Sequence, residues 1–144
     1  MKVPLFPPFL TSVGVIMQPF IDLLKKIEQT KSFTENDLKT LHTLFEDRFW
    51  KSLELAILSC VKKYTFSPSN RIVWIVSTDN KDYLTYDDFF CNCNDFYLNI
   101  VKRRNFRYCK HILAKQISIS LNNYETIEIE DDRYDFLMNE WRTF

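Results

Sequence analysis

Glycine is almost missing from this chain: Gly14 is the single one in 144 residues. A loop that cradles phosphate needs several glycines so that backbone N–H groups can close on the anion, and none can form here. The same scarcity predicts packed elements with few turns at positive φ. An excess of either charge is also missing, since 19 Lys and Arg face 19 Asp and Glu. A chain without net charge does not coat nucleic acid through its overall field, so any such contact has to be local. Nowhere do about 18 apolar residues run uninterrupted, and no transmembrane helix or membrane partner is expected. The start, MKVPLFPPFLTSVGVIM, has the basic second residue and apolar run of a leader. Pro4, Pro7 and Pro8 break that run and no small-x-small cleavage site follows, so the expected context is soluble, intracellular and reducing.

What is present is aromatic and apolar. Thirteen Phe, seven Tyr and three Trp within a 46% hydrophobic composition suffice for one core, and the length fits one compact domain. Three stretches are distinguished: an N-terminal extension with an amphipathic helix over 1–33, a core over 34–121, and an acidic, aromatic segment over 122–144. In the first, Ile16, Phe20, Leu23, Leu24 and Ile27 recur at helical spacing and form a face that packs on the domain or on a partner. Thr34 with Asp37 marks a helix start before Leu38, Leu41, Leu44 and Phe45, predicting a helix over 35–46. The apolar stripe restarts at Phe49, Leu53, Ala56, Ile57 and Cys60, which places Cys60 in the core. From Lys62 the period shortens: KKYTFS, the turn SPSN, RIVWIVS, a second turn at TDNKD and YLTYDDFF predict an antiparallel β meander. Leu113, Ala114, Ile117 and Leu121 then share a helix face, and the C-terminal segment ends in a helix. The fold class expected is α+β.

The meander runs into CNCNDFYLNIVKRRNFRYCKH, which holds three of the four cysteines and one of the two histidines. Cys91 and Cys93 leave a strand two residues apart, a spacing that turns both side chains to one side of an extended chain. Cys109 and His111 have the same spacing, but on a regular helix it would separate them by about 200°. Cys109 therefore belongs in the turn before the helix and His111 in its first turn, where the positive helix end favours a thiolate. Three thiolates and an imidazole form a tetrahedral set suited to one Zn²⁺, at about 2.3 Å from sulfur and about 2.0 Å from nitrogen. The set leaves no open position for water, so the zinc is read as structural. Free thiols are the competing reading; a Cys-x-Cys disulfide would close a strained ring that an intracellular chain has little use for.

The arrangement Cys-x-Cys, fifteen residues, Cys-x-His resembles the SWIM zinc finger. Ala114 three residues after the histidine, Phe96 after the second cysteine, and the helices and hairpin LKTLHTLF and SPSNRIVWIV make residues 34–121 similar to the small SWIM subunit of the Shu complex. That resemblance implies a nuclear, non-catalytic accessory factor of homologous recombination and DNA repair. Such a factor forms a hetero-oligomer with RecA-like recombinase paralogues and promotes recombinase filament assembly on single-stranded DNA.

Lys102, Arg103, Arg104, Arg107 and Lys110 could grip a nucleic-acid backbone, or could balance the formal charge of minus one on a Cys₃His zinc site. The first option leaves open an autonomous zinc-dependent nucleic-acid-binding module using the loop 102–110. Phe96, Leu98, Ile100 and Val101 read as a short helix packed on the meander rather than as partner anchors. Phe136, Leu137 and Trp141 suit a partner groove or the protein's own core equally. An enzyme, and a small-molecule substrate, are not expected: nothing brings His42 and Cys60 together with a third orienting group, and Glu128, Glu130, Asp131 and Asp132 read as a solvated acidic run.

Overall fold

The computed structural model describes residues 9–86, 90–103 and 108–142, with side chains described from residue 18 onward. Three helices open the chain: α1 (Phe9–Thr30), α2 (Glu35–Phe45) and α3 (Asp47–Ile57). The α1 stripe packs on the domain, with Phe20, Leu23 and Ile27 buried and Leu24 half-buried beside them; the side chain of Ile16 lies outside the described set. At the start of α2 the Thr34 hydroxyl accepts from the Asp37 amide at 3.1 Å, and the Asp37 carboxylate accepts from the Thr34 amide at 2.9 Å. Aspartate thus closes the capping box that a glutamate more often closes. The same carboxylate receives Lys26 Nζ at 2.8 Å and ties α1 to α2.

The predicted helix 35–46 and the stripe after it are separate elements because Glu46 sits at φ 56°, ψ −137° and reverses the chain between them. On α3 the buried face is Phe49, Ser52 and Ala56, whereas Ile57 is exposed. Cys60 lies beyond the helix, half-buried beside a small cluster of Val61, Val76 and Ala114. Few positive-φ turns were expected from the shortage of glycine, yet Lys31, Glu46, Ser59, Asn70 and Asn122 all adopt positive φ. The connections are so short that the reversals occur regardless, and two of the five are asparagine, the side chain that best tolerates this region.

The meander is present as β1 (Val61–Ser67), β2 (Arg71–Ser77) and β3 (Asp82–Tyr86), antiparallel in sequence order. YLTYDDFF was read as one strand, but β3 ends at Tyr86 and β4 (Phe90–Cys91) pairs back onto it, with Thr85 opposite Cys91. A wide helical turn with a five-residue hydrogen bond, Arg103 N–H to Leu98 C=O at 3.0 Å, spans Phe96–Lys102. Helix α4 (Lys110–Leu121) follows, capped at Asn122 in the left-handed region. The C-terminal segment contributes more than its expected helix: β5 (Glu125–Glu130) joins the sheet in parallel with β1, ahead of α5 (Tyr134–Trp141). The sheet is therefore mixed, in the order β4-β3-β2-β1-β5.

The strand period of two divides the core between the two faces of this sheet. Val61 and Val76 point to the helical layer, where α4 is buried nearly all round by Ile112, Leu113, Ala114, Ile117 and Ser118. Phe66, Val73, Ile75 and Leu84 point to the opposite face, covered by Met138 and Trp141 of α5.

Candidate metal centre

Helix α4 begins where the two cysteine segments meet. Cys109 is its N-cap, with extended backbone (φ −79°, ψ 171°) and its sulfur accepting from the Ile112 amide at 3.5 Å. His111 follows in the first turn, so the placement inferred from the spacing holds. Cys91 ends β4 on the face toward the helical layer, and Cys93 lies in a bend where its sulfur accepts the Phe96 amide at 3.3 Å. Extended backbone therefore accounts for Cys91, while a turn brings Cys93 to the same side.

The candidate ligand atoms of Cys91, Cys93, Cys109 and His111 all lie within 4.8 Å of one another. His111 Nδ1 is 3.7 Å from Cys91 Sγ. Tetrahedral sulfur and nitrogen donors around a zinc ion are separated by about 3.5 to 3.8 Å. All four residues are at least 93% buried, and no cysteine forms a disulfide. Among the described residues, the buried His111 Nε2 has no hydrogen-bond partner. Three sulfurs and an imidazole nitrogen packed this closely are costly to bury, and a bound cation compensates that cost, so the residues present fit a metal ion.

The sulfurs also perturb one another's protons. Hydrogen bonding from Cys109, and then Cys91, holds the Cys93 thiol far below the ordinary range. The close Cys109 and Cys93 sulfurs hold the Cys91 proton far above it, and burial pushes Cys109 up to about 12. One sulfur is thus readily a thiolate, while its neighbours release protons only to a competing cation.

Several residues that sequence reasoning missed surround this set. Arg48 of α3 makes a bidentate pair with Asp95, at 2.5 and 3.1 Å, fixing the turn after Cys93 to the helical layer. Asn92, between the two ligands, is buried: its amide oxygen accepts from Leu84 N–H at 3.0 Å, and its amide nitrogen donates to the Trp141 carbonyl at 2.7 Å. Tyr83 of β3 stacks on the His111 ring, with centroids 4.0 Å apart. Asn92 was within reach of the sequence, because a polar residue between two buried ligands must find partners. Tyr83 and Arg48 required the sheet register and the helix packing.

Lys110, at the start of α4, and Lys81 line a cavity of about 370 Å³ against Cys93 and His111, where they can offset the charge of the cluster. Lys102 and Arg103 are exposed; Lys102 Nζ lies 5.7 Å from the Tyr97 ring, and Arg103 donates to Asn99 at 3.3 Å. Arg104 and Arg107 lie outside the described residues. Phe96 is buried and Ile100 half-buried, while Leu98 and Val101 are exposed. Of the C-terminal aromatic set, Trp141 is buried edge-on against Tyr64, Leu137 is half-buried and Phe136 is 57% exposed. Among the acidic residues, Asp131 accepts the Ser69 amide and hydroxyl and so ties the end of β5 to the β1–β2 turn. His42 accepts the Trp50 indole N–H at 2.8 Å. No helix among the described residues is long and apolar enough to cross a membrane.

The chain is similar to a protein of Dictyostelium discoideum named zinc finger SWIM domain-containing protein 7 homolog, with 29% identity over 119 residues, 79% of this chain and 76% of that one. No family model matches, and no solved structure matches significantly. The buried Cys₃His cluster and the likeness to a SWIM zinc finger protein together suggest a zinc-binding module.

Proposed function

We propose that the protein is a non-catalytic subunit of a recombination and DNA repair assembly, in which one structural zinc holds its partner-binding surface in shape. The observation that carries the zinc role is the convergence of four protein ligand atoms within 4.8 Å of one another, a complete tetrahedral set with no coordination position left for a reacting water. The recombination role rests on the resemblance of residues 34–121 to the small SWIM subunit of the Shu complex. By that reading the partners are RecA-like recombinase paralogues, the place of action is the nucleus, and the outcome is recombinase assembly on single-stranded DNA.

A second reading, an autonomous nucleic-acid-binding module, is favoured by one surface feature. Lys102 lies beside the exposed Tyr97 ring, and a cation next to an aromatic face suits a stacked base and its phosphate. Affinity purification from native cells, comparing wild type, Cys109→Ser and Arg103→Ala/Arg104→Ala, separates the two. The subunit reading predicts a RecA-like paralogue recovered with the wild type and the arginine variant and lost with Cys109→Ser. No protein partner, with tight salt-sensitive binding of single-stranded DNA that the arginine variant loses, would replace it with the second reading.

A further inference from the structure

A histidine that binds metal through one ring nitrogen usually donates the other N–H to a carboxylate, carbonyl or water, and that hydrogen bond fixes the plane of the ring. His111 departs from this arrangement. Its Nδ1 faces Cys91, and among the described residues its buried Nε2 has no acceptor. Among the described residues, the plane that aims the imidazole at the three sulfurs is left to packing. The candidate is Tyr83, whose ring lies 4.0 Å from the imidazole, centroid to centroid, with 20° between the planes. Tyr83 is itself fixed by the sheet: it pairs with Val76 in the β2–β3 register and is half-buried between the main core and the cluster under α4.

We propose that Tyr83 is the positioning residue of the metal centre, with its ring stacked on the imidazole to hold the imidazole plane. The chemistry favours this role in the loaded state. A cation withdraws electron density from a bound imidazole, and an electron-poor ring is attracted to the electron-rich face of a phenol. The stack therefore strengthens on metal binding and contributes to affinity as well as orientation. The inference rests on the cluster binding metal, and its test separates that premise from the role of Tyr83.

The experiment is a double-mutant cycle on the full chain, with Co²⁺ absorption reporting coordination and chelator competition reporting Zn²⁺ affinity. Tyr83→Phe and Tyr83→Leu are each made with His111 intact and with His111→Cys, a site that has no ring to stack. With His111 intact, Tyr83→Phe stays within about threefold of wild type, while Tyr83→Leu weakens Zn²⁺ binding by about 10- to 100-fold and alters the Co²⁺ spectrum. In the His111→Cys background the same Tyr83→Leu change alters affinity by less than about threefold, within the usual error of additive effects. Equal losses in both backgrounds, including loss of folding in both, would make Tyr83 a packing residue only. No loss in either would remove it altogether, and a wild type that binds neither ion would overturn this role together with the metal reading.

Discussion

Cys93 and Cys109 each receive a backbone N–H from three residues downstream, Phe96 and Ile112, so both sulfurs are held by the chain that follows them. Cys93 is set apart by its depressed proton affinity, whereas Cys91 and Cys109 keep their protons at neutral pH. Loading the cluster must then displace the two protons of Cys91 and Cys109. Raised thiols bind metal more weakly as pH falls, because protons compete for the same sulfurs. Zn²⁺ affinity should therefore rise with pH across about 6 to 8, by up to about 100-fold per unit for two protons, measurable by chelator competition at several pH values. A pH-independent affinity would mean that the thiols are already ionised in the free protein. At this scale the four candidate ligands were legible, because residue type and spacing alone restrict where a thiolate and an imidazole can point. Tyr83 was not, since its stacking on His111 depends on a sheet register that no local spacing encodes.

Between elements, the metal centre acts as a junction. Arg48 anchors its Cys93 side to α3, and Asn92 joins it to β3 and to the end of α5 on the other face of the sheet. Removing the Asn92 amide leaves a buried N–H of Leu84 and a carbonyl of Trp141 without their partners. Asn92→Ala should cost about 1–3 kcal/mol and speed amide exchange in α5 ahead of β1 and β2, as read by denaturant unfolding and hydrogen exchange. Uniform acceleration would show that α5 is held by the sheet alone. The α2–α3 joint offers the opposite sign: Glu46 occupies a backbone region that suits glycine, so Glu46→Gly should stabilise by about 1 kcal/mol in the same unfolding measurement. The helices were legible from their apolar periodicity and the Thr34–Asp37 box. The joint was not, because a single glutamate carries no turn signal. The break between β3 and β4 was signalled only by Asp87 and Asp88 within an aromatic run. The short helix read over 96–101 is present over Phe96–Lys102, but nothing in its residues signalled its wide five-residue hydrogen bonding.

Across the whole molecule, the C-terminal segment completes the sheet. Ile127 and Ile129 alternate with polar residues at strand spacing, a pattern masked by the density of glutamates around them. Their pairing with β1 joins residues about 60 apart, and such contacts become visible only when the chain is assembled. The α+β class, the meander and the helix after His111 were readable because each follows from local periodicity. The mixed sheet and the two-sided core were not. The result is a fold whose helical layer, sheet and C-terminal helix all converge on one buried Cys₃His cluster, so metal binding and folding should be a single equilibrium. Native mass spectrometry of the purified protein, paired with thermal unfolding before and after chelation, tests this most directly. One zinc per chain, with the cooperative transition lost on chelation and restored by adding zinc, is the predicted result. A metal-free chain that melts cooperatively at the same temperature with or without chelator would contradict it.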